Sequence, residues 1–212
     1  MHGLGMSAQA FLQFFNTPLT VIPNQNTKVI LLNAPTQAVS IKRGAHINSW
    51  YDIIYSGGSL KYNEHEITQS AQRIQGVIKE EAQLLGNDST KIFIGGISQG
   101  CCIAIESALS YPERIGGVVA LSGHALPSII EQYEQNRINK STFDKLKQVP
   151  IFAYHGKQDC IIQEVWARKT YDRLKKIGFT KLQYFNEDSL GHTVSPTEIG
   201  KIREFLGTVM KS

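Results

Sequence analysis

Cysteine is scarce in this chain of 212 residues: there are three, and two of them, Cys101 and Cys102, are adjacent. Such a set builds no disulfide framework and suits a reducing compartment. Long apolar runs are also missing, since none approaches the roughly 18 residues that a membrane-spanning helix requires. The opening MHGLGMSAQAFLQFF lacks a basic stretch followed by an unbroken apolar one, so it does not read as a secretory signal. The Asn-x-Ser triplets at Asn87 and Asn139 are then expected to be chance, and the chain is expected in the cytoplasm. Charge of one sign is lacking as well. The 22 basic and 18 acidic residues leave +4, spread along the chain, which excludes a nucleic-acid groove. No ligand-spaced His/Cys/Asp cluster occurs, so neither a metal nor an organic cofactor is expected. There is no internal repeat and no low-complexity tract.

What is present is globular. Hydrophobic residues make up 42% and charged residues 19%, and a chain of this length buries roughly 70% of its unfolded surface. One domain over 1–212 is expected. Residues 28–32 (KVILL), 91–95 (KIFIG), 117–121 (GVVAL), 151–154 (IFAY) and 181–185 (KLQYF) read as strands. The first four are continuous apolar runs, the mark of strands covered on both faces. Helical spacing marks 65–85, stopped by Gly86, together with 100–110, 163–177 (stopped by Gly178) and 197–210. Alternation of strands with helices predicts an α/β architecture, a mostly parallel central sheet with helices on both faces. Residues 33–63 read as a long site-shaping loop with Trp50, Tyr51 and Tyr55. Residues 124–148 read as a polar surface insertion without chemistry.

Gly96-Ile97-Ser98-Gln99-Gly100 follows a strand and opens a helix. A serine hydroxyl is a poor nucleophile unless it is exposed, oriented and set beside a base. A sharp strand-to-helix turn achieves the first two, and flanking glycines let backbones pass closely. Chance produces the pattern in roughly one chain in fifteen of this length, but the strand before and the helix after narrow that. A nucleophile elbow expects its partners in the order Ser, acid, His. Of the histidines after Ser98, His192 lies in a free loop (DSLGHTVSP), whereas His155 at a strand end reads as structural. His124 precedes every candidate acid. Among the acids, Asp172 reads as a solvated helix face and Asp144 belongs to the insertion. Asp159 sits just past a buried strand on the carboxyl-end rim shared with Ser98. Asp188, nearer to His192 in sequence, is the competing acid and otherwise a loop cap. For an oxyanion, the Gln99 N–H is one donor. The Gly-rich His2-Gly3-Leu4-Gly5 is the sole candidate loop for a second, which points to the Leu4 N–H. The bland reading of those glycines is a flexible tail.

The blocks HGLG, NAPTQAVSI…SWYDI, GISQG, LSGHALP, HGKQD and GHTV, in that order over nearly the whole chain, resemble the acyl-protein thioesterase/lysophospholipase-like carboxylesterases. The resemblance implies an α/β-hydrolase fold, a Ser98–Asp159–His192 triad with Leu4 and Gln99 at the oxyanion hole, and hydrolysis of thioesters or esters of fatty acyl groups without a cofactor. It implies S-acylated proteins or acyl-ester lipids as substrates, at most transient contact with a membrane surface, and a monomer or weak homodimer. It also implies that residues 33–60, Trp50 among them, line an acyl-binding groove. Three departures stand out. Cys101 replaces a second glycine after GxSxG and is expected to crowd the elbow, and Cys160 replaces a proline after Asp159. A central strand normally precedes HGLG where this chain has Met1. That strand is expected to be missing from the sheet and to belong to a longer native chain with an earlier start; the short form is expected to be unstable and weakly active. The competing reading is a truncated, inactive relative that binds acyl chains or a protein.

Overall fold

The computed structural model describes residues 1–12 and 26–211. Ser7 caps one helical turn, α1 (Ala8–Phe11), by accepting from the Ala10 N–H. Two small antiparallel hairpins follow, β1 (Thr36–Val39) with β2 (Ala45–Asn48) and β3 (Ile53–Ser56) with β4 (Ser59–Tyr62). The expected long loop over 33–63 is thus largely paired, its Gly44 and Gly57-Gly58 supplying the left-handed turns that hairpins require. Then come α2 (Glu64–Leu84), β5 (Phe93–Ile97), α3 (Gln99–Leu109), β6 (Gly117–Leu121), α4 (Pro127–Glu134), α5 (Lys140–Leu146), β7 (Ile151–Gly156), α6 (Glu164–Ile177), β8 (Leu182–Glu187) and α7 (Pro196–Val209). The helices expected at 65–85, 100–110, 163–177 and 197–210 all form. The polar stretch 124–148 carries two further short helices.

Among the described residues, four strands make the central sheet, all parallel, in the order β5-β6-β7-β8. The apolar runs are continuous because alternate side chains enter separate cores. Val118, Ala120, Ile151 and Ala153 join the larger core with α2, α3, α4 and α6. Val119, Leu121, Phe152 and Tyr154 join the smaller one, with Phe11 of α1 and Ile202 and Phe205 of α7. Helix α3 is buried along its whole length, so the elbow at its head is held by packing on every side. Burial of this kind makes Ile103, Ile105 and Leu109 worth about 1.5–3 kcal/mol each.

The strand expected over 28–32 does not form. A strand exists only through pairing, and the described backbone that meets the free side of β5 belongs to Met1. Its N–H group donates to the Gly95 carbonyl (2.5 Å) and its own carbonyl accepts from the Ile97 N–H (3.2 Å). Val29, Ile30, Leu31 and Leu32 instead wall a largely apolar cleft of about 590 Å³, whose other side includes Phe93, Gly95 and Ile202.

Local chemistry places the loop that precedes α7. Ser195 and Glu198 form a reciprocal capping box, Ser195 Oγ accepting from the Glu198 N–H at 3.0 Å. The Ser195 hydroxyl donates to Glu187 (2.6 Å), which also accepts from the Tyr154 hydroxyl (2.8 Å). Glu198 is fully buried and its Oε1 has no partner among the described residues. Burial, with Glu187 nearby, pushes its carboxyl up to about 8. The folded state therefore holds this proton more tightly than the unfolded state does. The resulting stability is present below the ordinary carboxylate range and is lost as pH rises towards about 8. We expect Glu198→Gln to flatten the fall in urea midpoint between pH 5 and pH 8, so that the variant gains on the parent protein as pH rises; a parallel offset at all pH values would contradict this.

Candidate active site

Ser98 stands between β5 and α3 with φ 56° and ψ −122°, a left-handed backbone that a non-glycine residue adopts only where its surroundings impose it. Its N–H donates to the Leu121 carbonyl of β6 (2.9 Å), and its carbonyl accepts the first helical N–H groups, from Cys101 and Cys102. Both glycines of the motif are sterically required. A Cβ on Gly96 would lie 2.3 Å from the Gly100 carbonyl oxygen, and one on Gly100 would lie 2.4 Å from the Met1 carbonyl oxygen. Cys101 does not crowd the turn, contrary to expectation. Gly123 makes the space, since a Cβ there would be 2.6 Å from Cys101 Sγ, and that sulfur meets the Tyr171 hydroxyl at 3.6 Å.

The residues 2–5 pack against the elbow and are not a loose tail. A Cβ on Gly3 would sit 3.5 Å from Ser98 Cβ. His2 is buried and bridges two segments, its Nε2 accepting from the Ala34 N–H (3.0 Å) and its Nδ1 donating to the Gly3 carbonyl (2.9 Å). Burial holds its pKa below the ordinary histidine value. Gly5 turns with φ 75° and donates to the Asn48 carbonyl. The Leu4 N–H has no hydrogen-bond partner among the described residues, and Gln99 opens α3, where the first N–H groups have no intrahelical acceptor.

Trp50 stands elsewhere than expected. It is 1% exposed, within the larger core, so it offers no wall to a groove. Its indole N–H instead donates to the His2 carbonyl (2.9 Å), beneath the Gly-rich loop. Gln99 contributes a side chain that sequence reasoning did not use. Buried, its amide accepts from the Trp50 N–H (2.9 Å) and donates to the Tyr51 carbonyl (2.7 Å) and Ser49 Oγ (3.0 Å). The elbow and the Ser49–Tyr51 segment are therefore one hydrogen-bonded unit. No spacing rule predicts that pairing of residues about 50 positions apart.

At the carboxyl ends of β7 and β8 the acid and the imidazole meet. His192 Nδ1 donates to Asp159 Oδ2 at 2.7 Å, which leaves Nε2 as the bare, basic nitrogen. Asp159 has no side-chain exposure, and its Oδ1 accepts from the Ile161 and Ile162 N–H groups, each at 2.9 Å. The two loops are tied together, the Gln158 N–H donating to the Leu190 carbonyl (2.9 Å). Gly156 is required there, because a Cβ would lie 2.1 Å from the Leu190 oxygen. Asp188 is solvent-facing and pairs with Lys157 (2.6 Å), so the nearer acid in sequence is not the one beneath the ring. Asp172 is exposed on α6, and Asp144 pairs with Lys147. His124 lies against Tyr62 and its own strand-end backbone. Among the described residues Ser98 Oγ makes no hydrogen bond to His192; catalytic contacts of this kind are often long before substrate tightens them. Also among the described residues, no three His, Cys, Asp or Glu side chains gather as a metal site, and no helix is long and apolar enough to cross a membrane.

Known proteins resemble this chain in sequence and fold. The family model described as phospholipase/carboxylesterase matches residues 1–210. The chain is 29% identical to "acyl-protein thioesterase 1 homolog 1" of Dictyostelium discoideum, over 99% of this chain and 88% of that protein. The crystal structure of SOBER1 of Arabidopsis thaliana superposes with a TM-score of 0.79 at 26% identity, covering 99% of this chain and 96% of that one. Acyl-protein thioesterase 2 of Zea mays shares the fold, with a TM-score of 0.83 at 23% identity over 99% and 91% of the two chains. With a strained serine at the head of α3 and a family model that matches residues 1–210, the chain belongs to the phospholipase/carboxylesterase family of α/β hydrolases.

Proposed function

We propose that this protein hydrolyses thioesters or esters of fatty acyl groups through Ser98, His192 and Asp159. The observation that carries the reading is the 2.7 Å hydrogen bond from His192 Nδ1 to the buried Asp159 carboxylate, on the sheet rim that also bears Ser98. His192 Nε2 takes the Ser98 proton as Oγ attacks the acyl carbonyl. The tetrahedral oxyanion is held by the Leu4 and Gln99 N–H groups. His192 then gives the proton to the departing thiol or alcohol, leaving an acyl-serine. In the second half, His192 takes a proton from water as its oxygen attacks the acyl carbonyl, then returns that proton to Ser98 Oγ as the acyl–Oγ bond breaks, and the free acid leaves. Asp159 fixes the tautomer and stabilises the imidazolium.

The acyl part of the reading is supported by apolar side chains on the same rim. Ile161, Val165 and Trp166, just past Asp159 and at the start of α6, are exposed. Such groups favour a substrate with a hydrocarbon chain over a small polar ester, and S-acylated proteins and acyl-ester lipids both fit. The thioesterase names of the relatives point the same way.

A fluorophosphonate probe should label the folded protein at Ser98, and Ser98→Ala should abolish labelling and lower turnover of a chromogenic ester by at least about 10³-fold. Labelling that persists in Ser98→Ala would overturn the assignment, and a folded parent protein that neither labels nor turns over would leave a binding protein. Asp159→Asn, measured the same way, should lower kcat on the order of 10³–10⁴-fold with KM little changed. Gln99→Leu keeps the backbone N–H but releases the Ser49–Tyr51 segment; we expect kcat to fall roughly 10- to 100-fold, reflecting displaced oxyanion donors. Hydrolysis that rises with acyl length across p-nitrophenyl esters would support the fatty acyl preference, and a preference for acetate would reject it.

A further inference from the structure

His2 is buried beside the elbow, and no step of the reaction uses its ring. Two hydrogen bonds settle the state of that ring. A backbone N–H only donates, so the bond from the Ala34 N–H to Nε2 (3.0 Å) leaves Nε2 without hydrogen. A carbonyl oxygen only accepts, so the 2.9 Å contact between Nδ1 and the Gly3 oxygen places the hydrogen on Nδ1. The ring is neutral and confined to one tautomer. Burial outweighs the bond to Gly3 and holds its pKa below the ordinary histidine value, in agreement with that geometry.

The Gly3 carbonyl also accepts from the Met6 N–H (3.1 Å). Both donors therefore grip one peptide unit, and the other end of that unit is the Leu4 N–H. A trans peptide is flat, its C=O and N–H pointing in opposite directions. Holding the Gly3 oxygen toward His2 and Met6 turns the Leu4 N–H the other way, and that N–H has no hydrogen-bond partner among the described residues. The preceding peptide is fixed as well. The Trp50 indole donates to the His2 carbonyl (2.9 Å), and Trp50 is itself held at its N–H by Gln99 and at its carbonyl by Ser70 of α2. Gly3 lies against the serine, since a Cβ there would be 3.5 Å from Ser98 Cβ.

We propose that His2 is a positioning residue for the reaction: its Nδ1–H clamps the Gly3 carbonyl and so aims the Leu4 N–H at the oxygen on which negative charge develops. The inference rests on the proposed oxyanion hole and deepens it. A donor fixed before substrate arrives needs no reorganisation when the charge forms. Without the ring, the Met6 N–H alone would hold the Gly3 carbonyl, and the peptide unit would be free to rock. Ala34 completes the device: by donating to Nε2 it keeps the hydrogen on Nδ1, where Gly3 needs it.

The test compares His2→Asn, His2→Gln and His2→Leu, with folding checked by circular dichroism. Asparagine sets an amide N–H near the Nδ1 position and keeps the donor to Gly3; glutamine sets an amide oxygen near the Nε2 position and keeps only the acceptor for Ala34. With p-nitrophenyl butyrate, His2→Leu and His2→Gln should lower kcat roughly 10- to 100-fold with KM within about threefold of the parent. Their affinity for a trifluoromethyl ketone, whose adduct carries the oxyanion, should weaken by about the same factor as kcat. His2→Asn should stay within about threefold of the parent in both measurements. Rescue by glutamine and not by asparagine, or equal loss in all three, would reduce His2 to a brace for the Ala34 segment and overturn the proposal. A folded His2→Leu protein with the parent's kcat would overturn it too. Should the variants fail to fold, imidazole ¹⁵N spectra of the parent protein at pH 7 decide: a neutral Nδ1–H form of His2 supports the proposal, and an Nε2–H form or a cation overturns it. The Leu4 amide proton of the parent protein should move downfield when the ketone binds. A signal that stays in place rejects the oxyanion reading itself, whereas a moving signal with unchanged kcat in His2→Leu rejects only the role of His2.

Discussion

A single buried carboxylate organises the rim of this sheet. Asp159 is cut off from water, and an ionised oxygen pair in such a place is tolerable only when its lone pairs are met by donors. The chain provides them from two directions: the turn that follows Asp159 itself and the loop beyond β8. Satisfying the charge therefore forces the His192 loop to lie across the end of β7. The same requirement explains why Gly156 cannot carry a side chain, since the Leu190 carbonyl passes where a Cβ would be.

The other half of the rim depends on close backbone approach. Gly96 and Gly100 bring Met1, His2 and the head of α3 within contact distances that no other residue allows. Ser98 is held in its left-handed conformation by these contacts and by its hydrogen bond to β6. The Gln99 side chain and the Trp50 indole then lock the segments on either side. Fixed dipoles placed this way need no reorganisation when charge develops on a substrate oxygen, which is how a preorganised site lowers a barrier. Trp50, expected to touch substrate, instead supports the Gly-rich loop from beneath.

Much of this was legible in the residues. The continuous apolar runs at 117–121 and 151–154 read as doubly covered strands because each face of the sheet has its own core. The helix ends at Gly86 and Gly178 were readable because their positive φ is nearly specific to glycine. GISQG was readable as an elbow because a sharp turn between a strand and a helix leaves few residue types that fit. The strand expected at 28–32 was not recoverable in this way, because an apolar run states what a segment avoids and not what it pairs with. The hairpins inside 33–63 were equally hidden, their strands being four residues long and mostly exposed.

The linear order of residues determined which groups have the right chemistry: one serine in a glycine-flanked turn, an aspartate past a buried strand, a histidine in a late loop. Only the folded chain decided how they are used. It left Asp188 in solvent against Lys157, set Asp159 under the His192 ring and drew Trp50 into the core. The physical reason is that spacing along a polymer constrains neighbours within a turn or two. Burial, hydrogen-bond satisfaction and the exclusion of a Cβ act between segments whose separation in sequence carries no information about their distance in space.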